Sequence, residues 1–158
     1  MKKELLLIFF FITLLSALFP ASSHAFDKFG SEIKYAKNVV VGDTFDITIN
    51  LNNNTSSYDL SRVSISFDKK ILDKIQIIKT IPEYKTKYSI PIPGLDYFKI
   101  SFSDNLTVHP GQKGKIIIRA KAIARGLVNG KLKISAWGGL INPFDSADHY
   151  IKIEIETD

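Results

Sequence analysis

Acid–base chemistry near neutral pH starts with histidine, and this chain carries three, His24, His109 and His149. His109 sits in Val108-His109-Pro110-Gly111, a turn, and reads as an exposed turn residue rather than a base. His149 closes Asp145-Ser146-Ala147-Asp148-His149, the one place where Asp, Ser and His cluster. A nucleophile, its base and an orienting acid must converge from separate elements, which neighbours in one loop do not do. Asp145, Asp148 and His149 could ligate a metal, but their spacing fits no metal motif, and a solvated loop is the simpler reading. Asp43, Asp46, Asp59, Asp68 and Asp73 are scattered at strand ends. A calcium ion could recruit Asp43, Asp59 or Asp68 with loop carbonyls, yet no dense Asp-x-Asp run is present. No other cofactor is implied. With no Cys in the chain, thiol catalysis and thiolate metal sites are excluded. No carboxylate pair stands out for glycoside hydrolysis. The expectation is a protein that is not an enzyme.

The aromatic residues divide into two groups. Phe45, Phe67, Phe98 and Phe102 fall on the apolar face of alternating segments and belong in a core. Tyr84, Tyr88, Tyr97, Trp137 and Phe144 lie in or beside two irregular stretches, and they form the candidate binding surface. Amphipathic rings placed there would suit a sugar or a protein partner. For Trp137 two readings stand side by side, a surface platform and a single large core residue. Tyr84 and Tyr88, flanked by Lys85 and Lys87, are expected to be exposed.

The elements that must position these residues are strands. Phe45, Ile47, Ile49 and Leu51 alternate with Thr44, Asp46, Thr48 and Asn50 without a fault. Val63, Ile65 and Phe67 alternate with Arg62, Ser64 and Ser66, and Phe98, Ile100 and Phe102 with Lys99, Ser101 and Ser103. Further strands are expected over 32–36, 72–81, 115–122, 131–136 and 150–156. Asp68-Lys69-Lys70 reads as a turn. Pro82, Pro91 and Pro93 exclude a central strand from 81–95, which becomes a crossover or an irregular edge. Asn53-Asn54-Thr55, Asn54-Thr55-Ser56 and Asn105-Leu106-Thr107 have the form of glycosylation acceptors but here signify loops. Eight or nine strands and no helix predict an all-β, immunoglobulin-like (Greek-key) antiparallel β-sandwich.

The amino terminus is different. Lys2 and Lys3 precede an apolar run from Leu5 to Phe19, then Pro20 and the small-x-Ala ending Ser23-His24-Ala25. This is the pattern of a signal peptide over 1–25, and its 15-residue apolar run is short of the roughly 20 that cross a bilayer. Cleavage leaves a single domain over 26–158, secreted or periplasmic, with no stable transmembrane anchor. Of 21 Lys+Arg and 16 Asp+Glu, the leader takes Lys2, Lys3 and Glu4, leaving 19 against 15, or +4. The basic residues are interspersed with acidic ones and make no stripe, so nucleic acid is not an expected partner. Without disulfides, an exported domain must draw its stability from its core.

Three segments carry a family resemblance. Val40-Val41-Gly42-Asp43-Thr44-Phe45-Asp46-Ile47-Thr48-Ile49 resembles the opening strand of cohesin and related bacterial immunoglobulin-like modules. Val63-Ser64-Ile65-Ser66-Phe67-Asp68-Lys69-Lys70-Ile71-Leu72 is similar to their strand ending in aromatic-Asp-x-x-apolar-Leu. Pro110-Gly111-Gln112-Lys113-Gly114-Lys115-Ile116 is similar to the turn before a later core strand. The resemblance implies a non-catalytic binding module whose partner is another exported or cell-envelope protein. That partner would be met at the 75–80 edge or along 82–97. The alternative is a carbohydrate-binding sandwich that holds a polysaccharide on its exposed Tyr and Trp residues.

Overall fold

The computed structural model describes residues 29–90, 97–103, 105–138 and 145–157. Among them are ten strands. They are β1 (Gly30–Lys34), β2 (Asn38–Val40), β3 (Thr44–Asn52), β4 (Leu60–Asp68), β5 (Ile75–Ile81), β6 (Thr86–Ile90), β7 (Tyr97–Ser101), β8 (Lys113–Ala122), β9 (Gly126–Gly138) and β10 (Asp145–Glu156). One helical turn, α1 (Lys69–Leu72), replaces the turn expected at 68–70. A four-stranded sheet in the order β1-β3-β8-β5 faces a six-stranded sheet in the order β2-β10-β9-β4-β7-β6. This is an immunoglobulin-like β-sandwich. Residues 1–28, and with them the proposed signal peptide, lie outside the described residues.

The two-residue period of the strands makes the core. Ile47, Ile49 and Leu51 of β3 and Ile116, Ile118 and Ala120 of β8 point in from one sheet, and all are fully buried. Val63, Ile65, Phe67, Ile100, Leu132, Ile134, Ile151 and Ile153 answer from the other, equally buried. Phe98 is only half-buried, tilted against Phe67 with ring centroids 6.2 Å apart. Each fully buried Ile, Leu or Phe contributes about 1.5–3 kcal/mol of transfer free energy, which is how a cysteine-free domain of this size holds together.

Pairing extends several strands beyond their apolar cores. β9 and β10 form one long hairpin whose register runs from Asp145↔Ala136 to Ile155↔Gly126. The ladder therefore takes in Asp145–His149, expected to be a loop, and β9 runs on through Trp137, expected in an irregular stretch. Polarity misleads there because Ser146, Asp148 and Tyr150 alternate on the solvent face. Asn129-Gly130, which looks like a turn, also lies within β9. The glycine is required because a Cβ there would sit 2.7 Å from Ile71 Cγ1 of α1. β6 lies between Pro82 and Pro91 of the proline-punctuated stretch, and it is an edge strand. The sheets are antiparallel with one exception, the parallel pair β2·β10. It arises because the chain leaves the four-stranded sheet after β1 and joins the six-stranded sheet three residues later.

Two polar contacts close the sandwich. Buried Asn53 donates through Nδ2 to the Tyr58 and Val108 carbonyls at 2.6 and 2.8 Å. Its Oδ1 accepts from the Thr55 N–H and hydroxyl at 3.0 and 2.6 Å. Its burial also removes Asn53 from the formal glycosylation acceptors. At the open side, Ser31 Oγ of β1 lies 2.8 Å from His149 Nε2 of β10.

Two predictions follow from these contacts. Asn53→Ala strands two carbonyl groups and should cost roughly 2–3 kcal/mol in urea unfolding. Burial holds the His149 imidazole below its ordinary value, with Asp148 opposing more weakly. The unfolded chain therefore binds the extra proton more readily. Stability from this group is complete above about pH 6.5 and falls as pH drops through that value. Between pH 7.5 and 5, Tm should fall further in the natural protein than in His149→Gln.

Candidate functional site

The registers that bury one face of the six-stranded sheet fix what meets on the other. Val63, Ile65 and Phe67 pair with Ala136, Ile134 and Leu132, all inward. The intervening residues therefore point out, and a row of small hydroxyl residues crosses five strands. Its register is Ser146↔Ser135, Ser135↔Ser64, Ser64↔Ser101 and Ser101↔Thr86. At the usual strand spacing the row spans roughly 19 Å. Short side chains here make a trough, and taller ones stand beside it.

Arg62 and Trp137 stand on one side of the row, paired across β4 and β9. A bulge places them there. Leu60 pairs with Gly138 and Arg62 with Trp137, so the extra residue, Ser61, reverses the alternation. Leu60 goes into the core while Arg62 comes out beside the indole. On the other side Lys99 reaches over the row, its Nζ 5.4 Å from the Trp137 ring centroid. Such a cation–π contact is worth about 0.5–1 kcal/mol at an exposed site.

These residues enclose an open groove of about 330 Å³ lined by Arg62, Ser64, Lys99, Ser101, Ser103 and Trp137. Ser101 Oγ and Ser103 Oγ lie 3.1 Å apart. Ser64, in the floor, is 1% exposed, and its Oγ has no hydrogen-bond partner. A buried hydroxyl left unsatisfied costs about 1–3 kcal/mol. Among the described residues the lining holds two cations and no carboxylate.

The outer face of the four-stranded sheet is a solvated charged surface instead. Arg119 grips Asp46 through two bonds of 2.8 and 2.9 Å. That hydrogen bond lowers the Asp46 pKa against a small opposing effect of burial, and the carboxylate raises the Arg119 pKa in turn.

Of the five aromatic residues of the expected surface, Trp137 and Tyr84 are the two whose side chains lie among the described residues. Trp137 is in the groove, half-buried on the outer face, and is neither the core residue nor part of an irregular loop. Tyr84, expected to be exposed, is half-buried against the core, and its N–H donates to Thr80 Oγ1 at 3.1 Å. Tyr88 pairs with Lys99 in register, and Tyr97 pairs with Asp68. Phe144 lies outside the described residues.

The calcium candidates are separated, each with a local partner. Asp43 accepts from Val40 N–H, Asp59 meets His109 Nδ1 at 2.8 Å, and Asp68 accepts from Lys131 N–H. Among the described residues no three His, Asp or Glu side chains converge on a metal position. Ser31 and His149 do come into contact. Asp148, the neighbouring acid, stands on the opposite face beside Lys131 at 3.3 Å and cannot orient the ring. The pair ties two sheets together.

No family model matches the sequence, and neither does any curated protein. Solved structures do match. The cohesin module of a family 33 glycoside hydrolase from Clostridium perfringens aligns with TM-score 0.56 at 10% identity, covering 84% of this chain and 99% of that one. AvmM, described as catalysing macrocyclization in alchivemycin A biosynthesis, aligns with TM-score 0.52 at 9% identity, over 81% and 89%. The chain is thus a cohesin-like, immunoglobulin-like β-sandwich at the level of fold. A fold shared by a cohesin module and a protein of that description assigns no activity by itself. The groove has to carry the functional argument.

Ser64→Ala removes a hydroxyl that is buried and unpartnered. It should leave the protein as stable as before or raise its stability by about 1 kcal/mol in urea unfolding, the reverse of the usual effect of losing a buried polar group.

Proposed function

We propose that this chain is an exported, non-catalytic binding module that holds a saccharide on the outer face of its six-stranded sheet. The observation that carries the reading is the Ser64 hydroxyl, buried and unpartnered in the floor of a groove walled by Trp137. A sugar ring offers a flat C–H face to an indole and hydroxyl groups to a hydroxyl floor. A peptide main chain finds no ladder there, because the backbone groups of β4, β7 and β9 are already paired on both sides. Export rests on the basic, apolar and small-x-Ala pattern of residues 1–25.

A protein partner at the cell envelope is the second reading. Its support is Ile78 and Ile81, large apolar side chains 50% and 49% exposed on the edge strand β5.

Affinity electrophoresis through gels containing a panel of neutral and acidic polysaccharides separates the two. Retardation by at least one polysaccharide, abolished by Trp137→Ala, is the expected result. The substitution should lower Tm by no more than about 4 °C, the shift that 1 kcal/mol produces in a domain of this size. Unchanged retardation in Trp137→Ala removes the groove from the function. Absence of retardation in every gel, with one envelope protein captured through Ile78 and Ile81, establishes the second reading.

A further inference from the structure

We propose that the site is closed at rest by a strap, the Lys99 side chain laid against the Trp137 indole, which must part for a ligand to reach Ser64. This rests on the saccharide reading above for what enters, and adds how entry is controlled. Orientation and exposure disagree at two residues of the hydroxyl row. Ser64 and Ser135 point away from the core, as their register between inward-facing pairs requires. Yet they are only 1% and 4% exposed. Toward the ends of the same row, Ser146 and Thr86 are exposed. The row is covered at its middle.

The registers identify the cover. Lys99 of β7 pairs with Ser66 of β4, and Trp137 of β9 pairs with Arg62 of β4. Ser64 stands midway between Ser66 and Arg62, so it is the midpoint of the diagonal from Lys99 to Trp137. Two strand spacings across and four residues along make that diagonal about 16 Å between Cα atoms. Lys99 Nζ nevertheless comes to 5.4 Å from the indole centroid. Both side chains must therefore lie nearly flat, each toward the other, and the line they follow passes over Ser64. Both remain partly exposed, so the strap can lift without disturbing the core. A sugar ring that stacks on Trp137 takes the place of the ammonium. The same movement uncovers Ser64 Oγ, which has no hydrogen-bond partner beneath the strap. Stacking and hydrogen bonding become available in one step.

Trp137 is the single tryptophan of the chain, so its fluorescence reports the strap directly. Acrylamide, a neutral quencher indifferent to the loss of a charge, is applied to the natural protein and to three variants. These are Lys99→Ser, Lys99→Arg and Lys115→Ser, the last changing an exposed lysine of the four-stranded sheet. Matching Tm values establish that all of them fold. The quenching constant is expected to rise about twofold in Lys99→Ser. It should keep its natural value in Lys115→Ser and in Lys99→Arg, whose guanidinium also stacks on aromatic faces. Unchanged quenching in Lys99→Ser, or an equal rise in either of the other variants, overturns the strap.

The same four proteins are run in gels of hydroxyethyl cellulose, xylan, pullulan and polygalacturonate. In a gel that retards the natural protein, Lys99→Ser should bind about two- to fivefold more tightly, because the sugar no longer has to displace the ammonium. Unchanged or weaker binding by Lys99→Ser overturns the control of entry and leaves the saccharide reading intact. If no gel retards any of the four proteins, the saccharide reading falls and takes the control of entry with it, whatever the quenching shows.

Discussion

The register between β4 and β9 is the constraint on which this molecule turns. Val63, Ile65 and Phe67 enter the core only when they face Ala136, Ile134 and Leu132, and all six are buried. Sliding one strand by a single residue would drive Ser64, Ser66 and Ser135 into an apolar interior and put Phe67 in water. The hydrophobic energy at stake in that slip is several side chains at about 1.5–3 kcal/mol each, far more than any surface contact opposes. The outer face is thus dictated by the inner one. Ser64 meets Ser135 and Ser101 because the isoleucines behind them have nowhere else to go.

Much of this was legible in the sequence. The outward positions of Arg62, Ser64, Lys99, Ser101 and Ser103 are visible in the alternation of each segment, as is the core that opposes them. What a single segment does not contain is its neighbour. β4 is followed by β5, in the other sheet, and β9 comes almost sixty residues after β4 ends. The groove is assembled from three strands that sequence proximity does not pair, so its residues look like unrelated solvent-facing positions. The bulge is hidden for a related reason. Leu60 and Arg62 share a parity and should share a face, and only the pairing to Gly138 and Trp137 shows that they do not. Trp137 drew attention as a residue type, but its strand was obscured by Gly138-Gly139 after it. Tyr84 drew attention through its lysine neighbours, yet charged neighbours along a chain say little about packing across it.

The closure of the sandwich follows from the same economy. With no disulfide available, the ends of the sheets are joined by polar groups whose bonding is complete. Asn53 uses both functions of its amide within one loop cluster, and Val108 pairs with Leu60 through two backbone bonds of 2.9 and 3.0 Å. The first strand is divided between the sheets, β1 in one and β2 in the other, so the chain itself stitches the open side. Against that background of satisfied groups, the unpartnered Ser64 hydroxyl has a different character. It lies in the middle of a sheet, in register between Ser135 of β9 and Ser101 of β7.

Sheet edges offer the other general route to recognition, and here they are guarded. β5 carries a register shift between Ile77 and Lys79, and β2 is three residues long. β1 presents Glu32 and Lys34, paired with each other at 3.4 Å. β6 begins just after Lys85, and Lys87 lies over the Phe98 ring at 5.3 Å. Bulges, brevity and lysine are the devices by which soluble sheets refuse an incoming strand. On the proposed reading, closed edges and an unsatisfied hydroxyl on the face place the capacity for binding on that face. The apolar side chains of Ile78 and Ile81 do not alter this, because they offer area without a ladder. The physical cost the fold tolerates is at Ser64, and recognition is to be sought where that cost is borne.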